Sequence, residues 1–151
     1  MGKVLAGGYR INKMTRFVVS LLAAMVLAFA AGAQDWGQVK TPTQGPPQSI
    51  GFYTAGCLQG AQALPLDGPG YEAIRISRNR YWGQPVTIDF VKRFSEQVRA
   101  AGQAPLYIGD IGQPRGGPMS FGHASHQVGL DVDIWFERQP GARRAPAERE
   151  D

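Results

Sequence analysis

Acidic residues are absent from the first 33 positions, although the whole chain contains 12 Asp and Glu residues. The same segment carries four basic residues, and these account for the entire formal net charge of +4. The remaining part of the chain, from Gln34 onwards, is therefore formally neutral. Nucleic-acid binding requires a basic patch on the folded part of a protein, so this class of function loses its main support.

Residues 1–33 have the layout of a secretory signal peptide. A basic region precedes an apolar run at 17–33, which closes in the small-residue sequence Ala-Gly-Ala. The run is short for a membrane span of about 20 residues and is interrupted by Ser20. No cysteine adjoins the expected cleavage site, so lipid anchoring has no support. We therefore predict cleavage after Ala33 and contact with the membrane only during export.

Cysteine is scarce, and Cys57 is the single example in the chain. Thiols of exported proteins usually pair as disulfides in the oxidising compartment that receives them. Cys57 is therefore either a small buried hydrophobe or one half of a pair whose partner is missing. The residues alone leave both interpretations open.

Composition separates an irregular arm from a folded part. Residues 34–48 are rich in proline and polar residues, which predicts an irregular N-terminal arm. Further on, the pattern predicts a strand, a helix and a second strand, at Tyr71–Ile76, Pro85–Ala100 and Leu106–Ile111. Within the helix, aromatic and aliphatic residues recur every four positions, at Phe90, Phe94 and Val98. We therefore expect an α+β fold in which a small antiparallel sheet has flanking helices.

The stretch Gly129–Phe136 alternates between apolar and other residues, which predicts a strand. Its core-facing side chains are expected to be Leu130, Val132, Ile134 and Phe136. The opposite face carries Asp131, Asp133 and Trp135. Two acids and a tryptophan suit the wall of a cleft better than they suit an ordinary solvent-facing sheet.

The chain has two histidines, His123 and His126, and Asp133 follows seven residues after the second. Imidazole nitrogens and a carboxylate oxygen are ligands that zinc accepts, and a catalytic zinc site uses three protein ligands and keeps one position for water. The alternative interpretation is that both histidines are solvated in a glycine-rich loop and that Asp133 is a polar residue at a strand end. The regular pattern of the following strand favours the metal site.

The string Gly-His-Ala-Ser-His-Gln-Val-Gly-Leu-Asp-Val-Asp at 122–133 resembles the penicillin-insensitive murein endopeptidases, which are zinc peptidases related to lysostaphin-type and D-alanyl-D-alanine carboxypeptidase enzymes. Every fixed position of the family's motif is present in it. The resemblance spans residues 49–136 and continues upstream in short motifs: Ser49-Ile50-Gly51, Gly56-Cys57, Leu64-Pro65, Arg78 to Tyr81, Gly109-Asp110 and Gly116-Gly117.

The resemblance implies a chemistry and a location. His123, His126 and Asp133 are expected to bind zinc, which would activate water for hydrolysis of the D-alanyl to meso-diaminopimelyl cross-bridges of periplasmic peptidoglycan. Insensitivity to penicillin follows because no serine nucleophile is available for acylation. Asp131 lies on the same strand face as Asp133 and either orients a ligand imidazole or faces solvent.

The sequence departs from this family after Phe136. Family members continue past this point and supply a second histidine motif, with a further zinc ligand and the proton-shuttling histidine, as well as cysteines that pair with partners including the one matched by Cys57. Residues 137–151 instead contain four arginines, four acids and no large apolar residue, which predicts a disordered tail outside the family pattern. We therefore expect a domain that is incomplete at its C-terminal side.

This departure affects the expected activity. No residue of the chain is assigned as the catalytic proton shuttle. We expect the three ligands to bind zinc more weakly than a complete site does. The pattern therefore leaves open whether the chain is active. Two further functions remain as alternatives: a non-catalytic module that binds peptidoglycan or metal, and a D,D-carboxypeptidase. The Gly-His-Ala-Ser-His-Gln run argues against the carboxypeptidase.

Overall fold

The computed structural model describes Met14, residues 35–135 and residues 144–150. The chain divides into two units, residues 1–34 and residues 35–151. The expected signal peptide lies outside the described residues, apart from Met14. Among the residues that are described, no helix is both long enough and apolar enough to cross a membrane.

The described part of the second unit is built from short strands around one longer helix. The strands are β1 (Gln48–Phe52), β2 (Ala55–Gln59), β3 (Gln62–Ala63), β4 (Asp67–Gly68), β5 (Tyr71–Ala73), β6 (Trp82–Gly83), β7 (Leu106–Ile108) and β8 (Ile134–Trp135). Helix α1 spans Pro85–Ala100, and 3-10 turns occur at Trp36–Gln38, Ile76–Arg78 and Pro146–Arg149. Residues 39–47 contain neither helix nor strand, whereas the predicted arm at 34–48 also includes the 3-10 turn at Trp36–Gln38 and the first residue of β1.

The strands of the described residues form two two-stranded sheets and one larger sheet. Strands β1 and β2 pair with each other, as do β3 and β6, and the larger sheet has the order β4-β5-β7-β8. All of these pairs are antiparallel except β5 and β7, which are parallel. Parallel strands need a long crossover, and here the connection carries α1. The predicted α+β class is confirmed.

Helix α1 has the predicted bounds but buries a different face from the one that the periodicity suggested. Its buried residues are Thr87, Ile88, Val91 and Ser95. In contrast, Phe90 and Phe94 are 50% and 37% exposed and stack on each other with ring centroids 5.8 Å apart. Ile88 and Val91 join the core cluster, whose other members are Leu64, Tyr71, Ile108 and Ile111. The aromatic repeat therefore marks an exposed flank of the helix.

The last strand is shorter than predicted, because β8 comprises only Ile134–Trp135. Leu130 was expected in the core but is 55% exposed, whereas Val132 and Ile134 pack against the core as expected. The reason lies at Gly129, whose carbonyl accepts hydrogen bonds from Gln84 N and Thr87 Oγ1 at the start of α1. This ties residue 129 to the helix and holds the following residue away from the sheet. Phe136 lies outside the described residues.

Residues 144–150 differ from the disordered tail that their composition suggested. They include a 3-10 turn, and the side chain of Arg149 is only 5% exposed. Its guanidinium lies 2.8 Å from Asp67 Oδ1 and 3.6 Å from Glu72 Oε2, and it donates a hydrogen bond to Leu66 O. Paired carboxylates of this kind offset the cost of burying a charge. The rest of that predicted tail, residues 137–143 and 151, lies outside the described residues.

Cys57 lies in β2 opposite Ile50 of β1. It is half-buried, and its thiol is free. Half-burial is compatible with its role as a small hydrophobe, and it leaves the thiol near enough to the surface for a pairing reaction. Both sequence interpretations of this residue therefore stay open.

Candidate metal centre

The buried residue Gln127 holds the loop that carries both histidines in place. Its side-chain amide nitrogen donates hydrogen bonds to Thr54 O and Ala124 O, and its amide oxygen accepts one from Gly56 N. Its main-chain carbonyl also accepts a hydrogen bond from Gly117 N. The loop is thus attached both to the β1–β2 hairpin and to the preceding glycine-rich segment.

His126 adopts a backbone conformation that side chains other than glycine rarely take, with φ of +63°. Such a residue costs on the order of 1–3 kcal/mol and persists only where its surroundings hold it in place. Here the backbone N–H of His126 donates to Asp131 Oδ2 at 3.2 Å. The consequence is that the imidazole of His126 is turned inward, and its side chain is only 3% exposed.

The structure brings His123, His126 and Asp133 together. One nitrogen or oxygen atom from each residue can be chosen so that all three atoms lie within 4.8 Å of one another. His123 Nε2 lies 3.2 Å from Asp133 Oδ2, and His126 Nε2 lies 3.3 Å from Asp133 Oδ1. The two imidazole rings are nearly perpendicular, with centroids 4.9 Å apart.

Two of these distances are close to those of a metal site. Donor atoms at about 2.1 Å from a tetrahedral zinc ion are separated from each other by roughly 3.4 Å. The contacts of 3.2 and 3.3 Å to Asp133 are near this value, but they involve different carboxylate oxygens, and the three donor atoms together span up to 4.8 Å, so the side chains would close in slightly around an ion. The donor types, two imidazoles and one carboxylate, are also those of catalytic zinc sites. Residues His123, His126 and Asp133 would hold the ion, and the 44% exposure of the His123 side chain leaves one side of the site open.

Asp131 contacts the ring of His126 on the side away from Asp133. Its Oδ2 atom lies 2.8 Å from His126 Nδ1, although the contact does not have the geometry of a hydrogen bond. A proton on Nδ1 leaves Nε2, the atom facing Asp133, with its lone pair available to a metal. This places Asp131 where the sequence suggested that it orients an imidazole, and the assignment of that role remains a proposal.

The charges around His126 act on its protonation. Burial lowers the pKa of His126, but contact with Asp131 and the negative charges of Asp131, Asp133 and Asp110 outweigh burial and raise it above 6.5. Burial raises the pKa of Asp131, but hydrogen bonding and charge attraction involving His126 together outweigh burial, so the pKa lies below its ordinary value of 3.8. Protons and a metal ion therefore compete for His126 more strongly than they would for an ordinary histidine.

A buried ion pair joins the two segments that carry the three residues. Arg80 and Asp110 have side chains that are 4% and 3% exposed, and Arg80 Nη1 lies 2.9 Å from Asp110 Oδ2. Arg80 also donates to Phe121 O at 3.0 Å, two residues before His123. Asp110 O accepts a hydrogen bond from Asp133 N at 3.0 Å. We call this pair the Arg80–Asp110 brace.

Sequence reasoning assigned no role to the brace or to Gln127. The motifs Arg78 to Tyr81 and Gly109-Asp110 belong to the family resemblance, so a signal was present. A buried arginine and a buried aspartate in a chain with few charged core positions suggest an ion pair, because unpaired charges are seldom buried. Which arginine pairs with which acid is set by contacts between residues 30 positions apart and was not readable from the pattern.

His123 and Asp133, with His126 buried behind them, line a cleft of about 650 Å³. Its lining residues are Arg75, His123, Val132, Asp133, Ile134 and Trp135. Peptide-sized ligands occupy clefts of a few hundred to about a thousand Å³, so this cleft has room for a peptide segment. The prediction that the acids and the tryptophan of the last strand line a cleft holds for Asp133 and Trp135.

Two imidazoles and a carboxylate that lie together beside an open cleft are a donor set typical of metallopeptidases. The chain belongs to the penicillin-insensitive murein endopeptidase family, a metallopeptidase family whose model matches residues 49–151. This confirms the resemblance drawn from the motif. The match also includes residues 137–151, which their composition had placed outside the family pattern.

Individual relatives agree with this assignment. The chain is 44% identical over 124 residues to the penicillin-insensitive murein endopeptidase of Klebsiella pneumoniae subsp. pneumoniae, covering 82% of this chain and 45% of the relative. The protein of that name from Haemophilus influenzae is 44% identical over 126 residues, covering 82% and 44%. The one from Escherichia coli O157:H7 is 40% identical over 135 residues, covering 89% and 49%. The chain thus spans about half the length of the curated relatives that it matches.

Proposed function

We propose that this chain binds zinc through His123, His126 and Asp133 and acts in a murein endopeptidase that hydrolyses D-alanyl to meso-diaminopimelyl cross-bridges of periplasmic peptidoglycan. The observation that carries the proposal is the convergence of the three side chains, two of which line the cleft. The names of the relatives support the reaction class, and the predicted signal peptide supports the compartment.

The residues of the chain have distinct parts in this proposal. Asp133 contacts both imidazoles and would hold the ion together with them. Asp131 holds His126 in one orientation from behind. Zinc, when bound, supplies Lewis-acid activation of water and of the scissile carbonyl. The open side at His123 and the cleft beyond it admit the substrate peptide.

Zinc titration by calorimetry of the full chain tests the metal site. We expect one zinc per chain for the wild type, no measurable binding for His126→Ala and Asp133→Ala, and weaker binding for His123→Ala. Asp89→Asn, which removes an exposed carboxylate of α1, is the matched control and should leave the affinity unchanged. Wild-type affinity in His126→Ala or Asp133→Ala would remove the ligand assignment.

Digestion of cross-linked muropeptide dimers tests the reaction. The zinc-loaded chain should release monomers, separated by chromatography, and His126→Ala should not. One zinc per chain with bound but uncut dimers would favour a non-catalytic peptidoglycan-binding module. Release of terminal D-alanine in place of monomers would favour a D,D-carboxypeptidase, an activity that the names of the relatives do not suggest.

A further inference from the structure

Arg75 occupies an unusual position at the end of β5. Its φ of +55° lies in the left-handed region, and its backbone N–H donates to the carbonyl of Arg149. Its guanidinium carbon lies 4.3 Å from the centre of the Trp135 ring. Within the described residues, no carboxylate lies within ion-pair distance of Arg75, and its buried Nε has no hydrogen-bond acceptor. A buried donor without an acceptor is rare in proteins.

The same cleft contains Arg75 and two of the candidate zinc ligands, His123 and Asp133. Trp135 of β8 and Asp133, which precedes β8, are two residues apart, and both side chains lie against Gly109. A Cβ atom at position 109 would be 3.0 Å from Trp135 Nε1 and 3.2 Å from Asp133 Cβ. Since no side chain projects from Gly109, the wall from Arg75 through Trp135 to Asp133 is continuous.

Stacking on Trp135 does not use the hydrogen-bond donors of the Arg75 guanidinium. A cation over an aromatic face is stabilised through the π electrons and leaves the N–H donors at the edge of the guanidinium unused. Asp133 is the nearest acid of the cleft wall, but its two oxygens face His123 and His126. Arginine forks bind carboxylates through two parallel hydrogen bonds, and this is the ligand chemistry that the free donors suit.

We propose that Arg75 binds the carboxylate of the substrate residue that contributes the nitrogen of the scissile amide. This inference rests on the proposed function. In a cross-bridge, the diaminopimelyl carbon that bears the scissile nitrogen also bears a carboxylate, and a terminal D-alanine has the same arrangement. When the scissile amide lies at the metal centre, this carboxylate lies beside the centre as well, because only one carbon separates it from the scissile nitrogen. Arg75 therefore selects peptides with a free carboxylate at this carbon.

Binding of matched peptide pairs to the full chain tests the inference. The first pair is a cross-linked muropeptide dimer with the diaminopimelyl carboxylate either free or amidated. The second pair is a pentapeptide stem with the terminal D-alanine carboxylate either free or amidated. Calorimetry is carried out with and without zinc, and the indole N–H resonance of Trp135, assigned with Trp135→Phe, reports whether the ligand lies against Arg75.

We expect the wild type to bind the free carboxylate on the order of tenfold more tightly than the amide in the first pair, the effect of one charge-assisted contact. Arg75→Gln should bind both members equally, and Arg75→Lys should keep part of the preference because it retains the charge. Arg93→Gln, on an exposed position of α1, is the matched control and should keep the full preference. Discrimination in the second pair that Arg75→Gln removes would support the same role with the terminal carboxylate as ligand.

Full preference for the free carboxylate in folded Arg75→Gln would overturn the inference, as would equal binding of both members of each pair by the wild type. Circular dichroism of each variant verifies folding, and Arg75→Lys provides the answer if Arg75→Gln does not fold. The proposed function would fail by a different result, the absence of zinc binding in the wild type. The two failures can be told apart because peptide discrimination is also measured without zinc.

Discussion

Removing one member of the Arg80–Asp110 brace should destabilise the protein and loosen the metal centre together. In Asp110→Asn, Arg80 stays buried without its carboxylate, and in Arg80→Met the buried Asp110 carboxylate keeps only the longer contact with Arg78 at 3.5 Å. Loss of one partner of a buried ion pair costs about 3–5 kcal/mol, because the remaining charge is uncompensated. The double variant leaves neither charge buried and should recover part of that loss.

The structure also predicts how the metal site responds. Arg80 holds Phe121 O, two residues before His123, and Asp110 O holds Asp133 N. Releasing the first contact frees the segment that leads to His123, so Arg80→Met should weaken zinc binding. Asp110→Asn retains the main-chain contact to Asp133 and should affect zinc binding less than Arg80→Met does.

Urea unfolding of the two single variants and the double variant, with zinc titration of each, measures these effects. Arg78→Met is the matched control: its side chain is 25% exposed and lies 3.5 Å from Asp110, so its loss should cost less than about 1 kcal/mol. A coupling free energy near zero between Arg80 and Asp110, with purely additive single effects, would refute the brace.

Three other substitutions or conditions have definite expected outcomes. Asp131→Asn should reduce zinc affinity about 10- to 100-fold in calorimetry while leaving the stoichiometry unchanged, because a carboxylate that orients a ligand imidazole contributes this much; unchanged affinity would assign Asp131 to solvent. Zinc affinity should fall as the pH is lowered through the pKa of His126, which is raised above 6.5, since protons then compete with the metal; a titration flat down to pH 5 would contradict this. Gly116→Ala should lower the free energy of unfolding by more than about 1 kcal/mol, because φ is +63° and a Cβ would overlap Gln127 O; a stability like that of the wild type in urea unfolding would contradict the close approach.

The parts of the structure that could be predicted from the sequence are those in which a local pattern determines the outcome. Helix α1 begins and ends where its periodicity and Pro85 place it. His123, His126 and Asp133 lie within 11 positions of one another, so a short loop and a strand are enough to bring them together. Their convergence therefore depends on few long-range contacts, and the motif was sufficient to predict it.

The parts that could not be predicted depend on contacts between distant segments. Leu130 is exposed because Gly129 is bound to the start of α1, about 45 residues earlier in the sequence. The aromatic repeat of Phe90 and Phe94 indicated the helix correctly but not its buried face, because the core selects the smaller Val91 and Ser95 for close packing. Periodicity fixes which residues share a face, whereas the neighbouring elements decide which face is buried.

The segment from Arg75 to Arg80 connects both sides of the centre, and its backbone explains how. Arg75 and Asn79 both have left-handed conformations, with φ of +55° and +54°, and they bracket a 3-10 turn. Two such reversals within five residues let Arg75 lie over Trp135 at the cleft while Arg80 is buried against Asp110. A regular strand or helix through these positions would not combine the two placements. The conformation of this short segment thus couples the wall of the cleft to the support beneath the candidate zinc ligands.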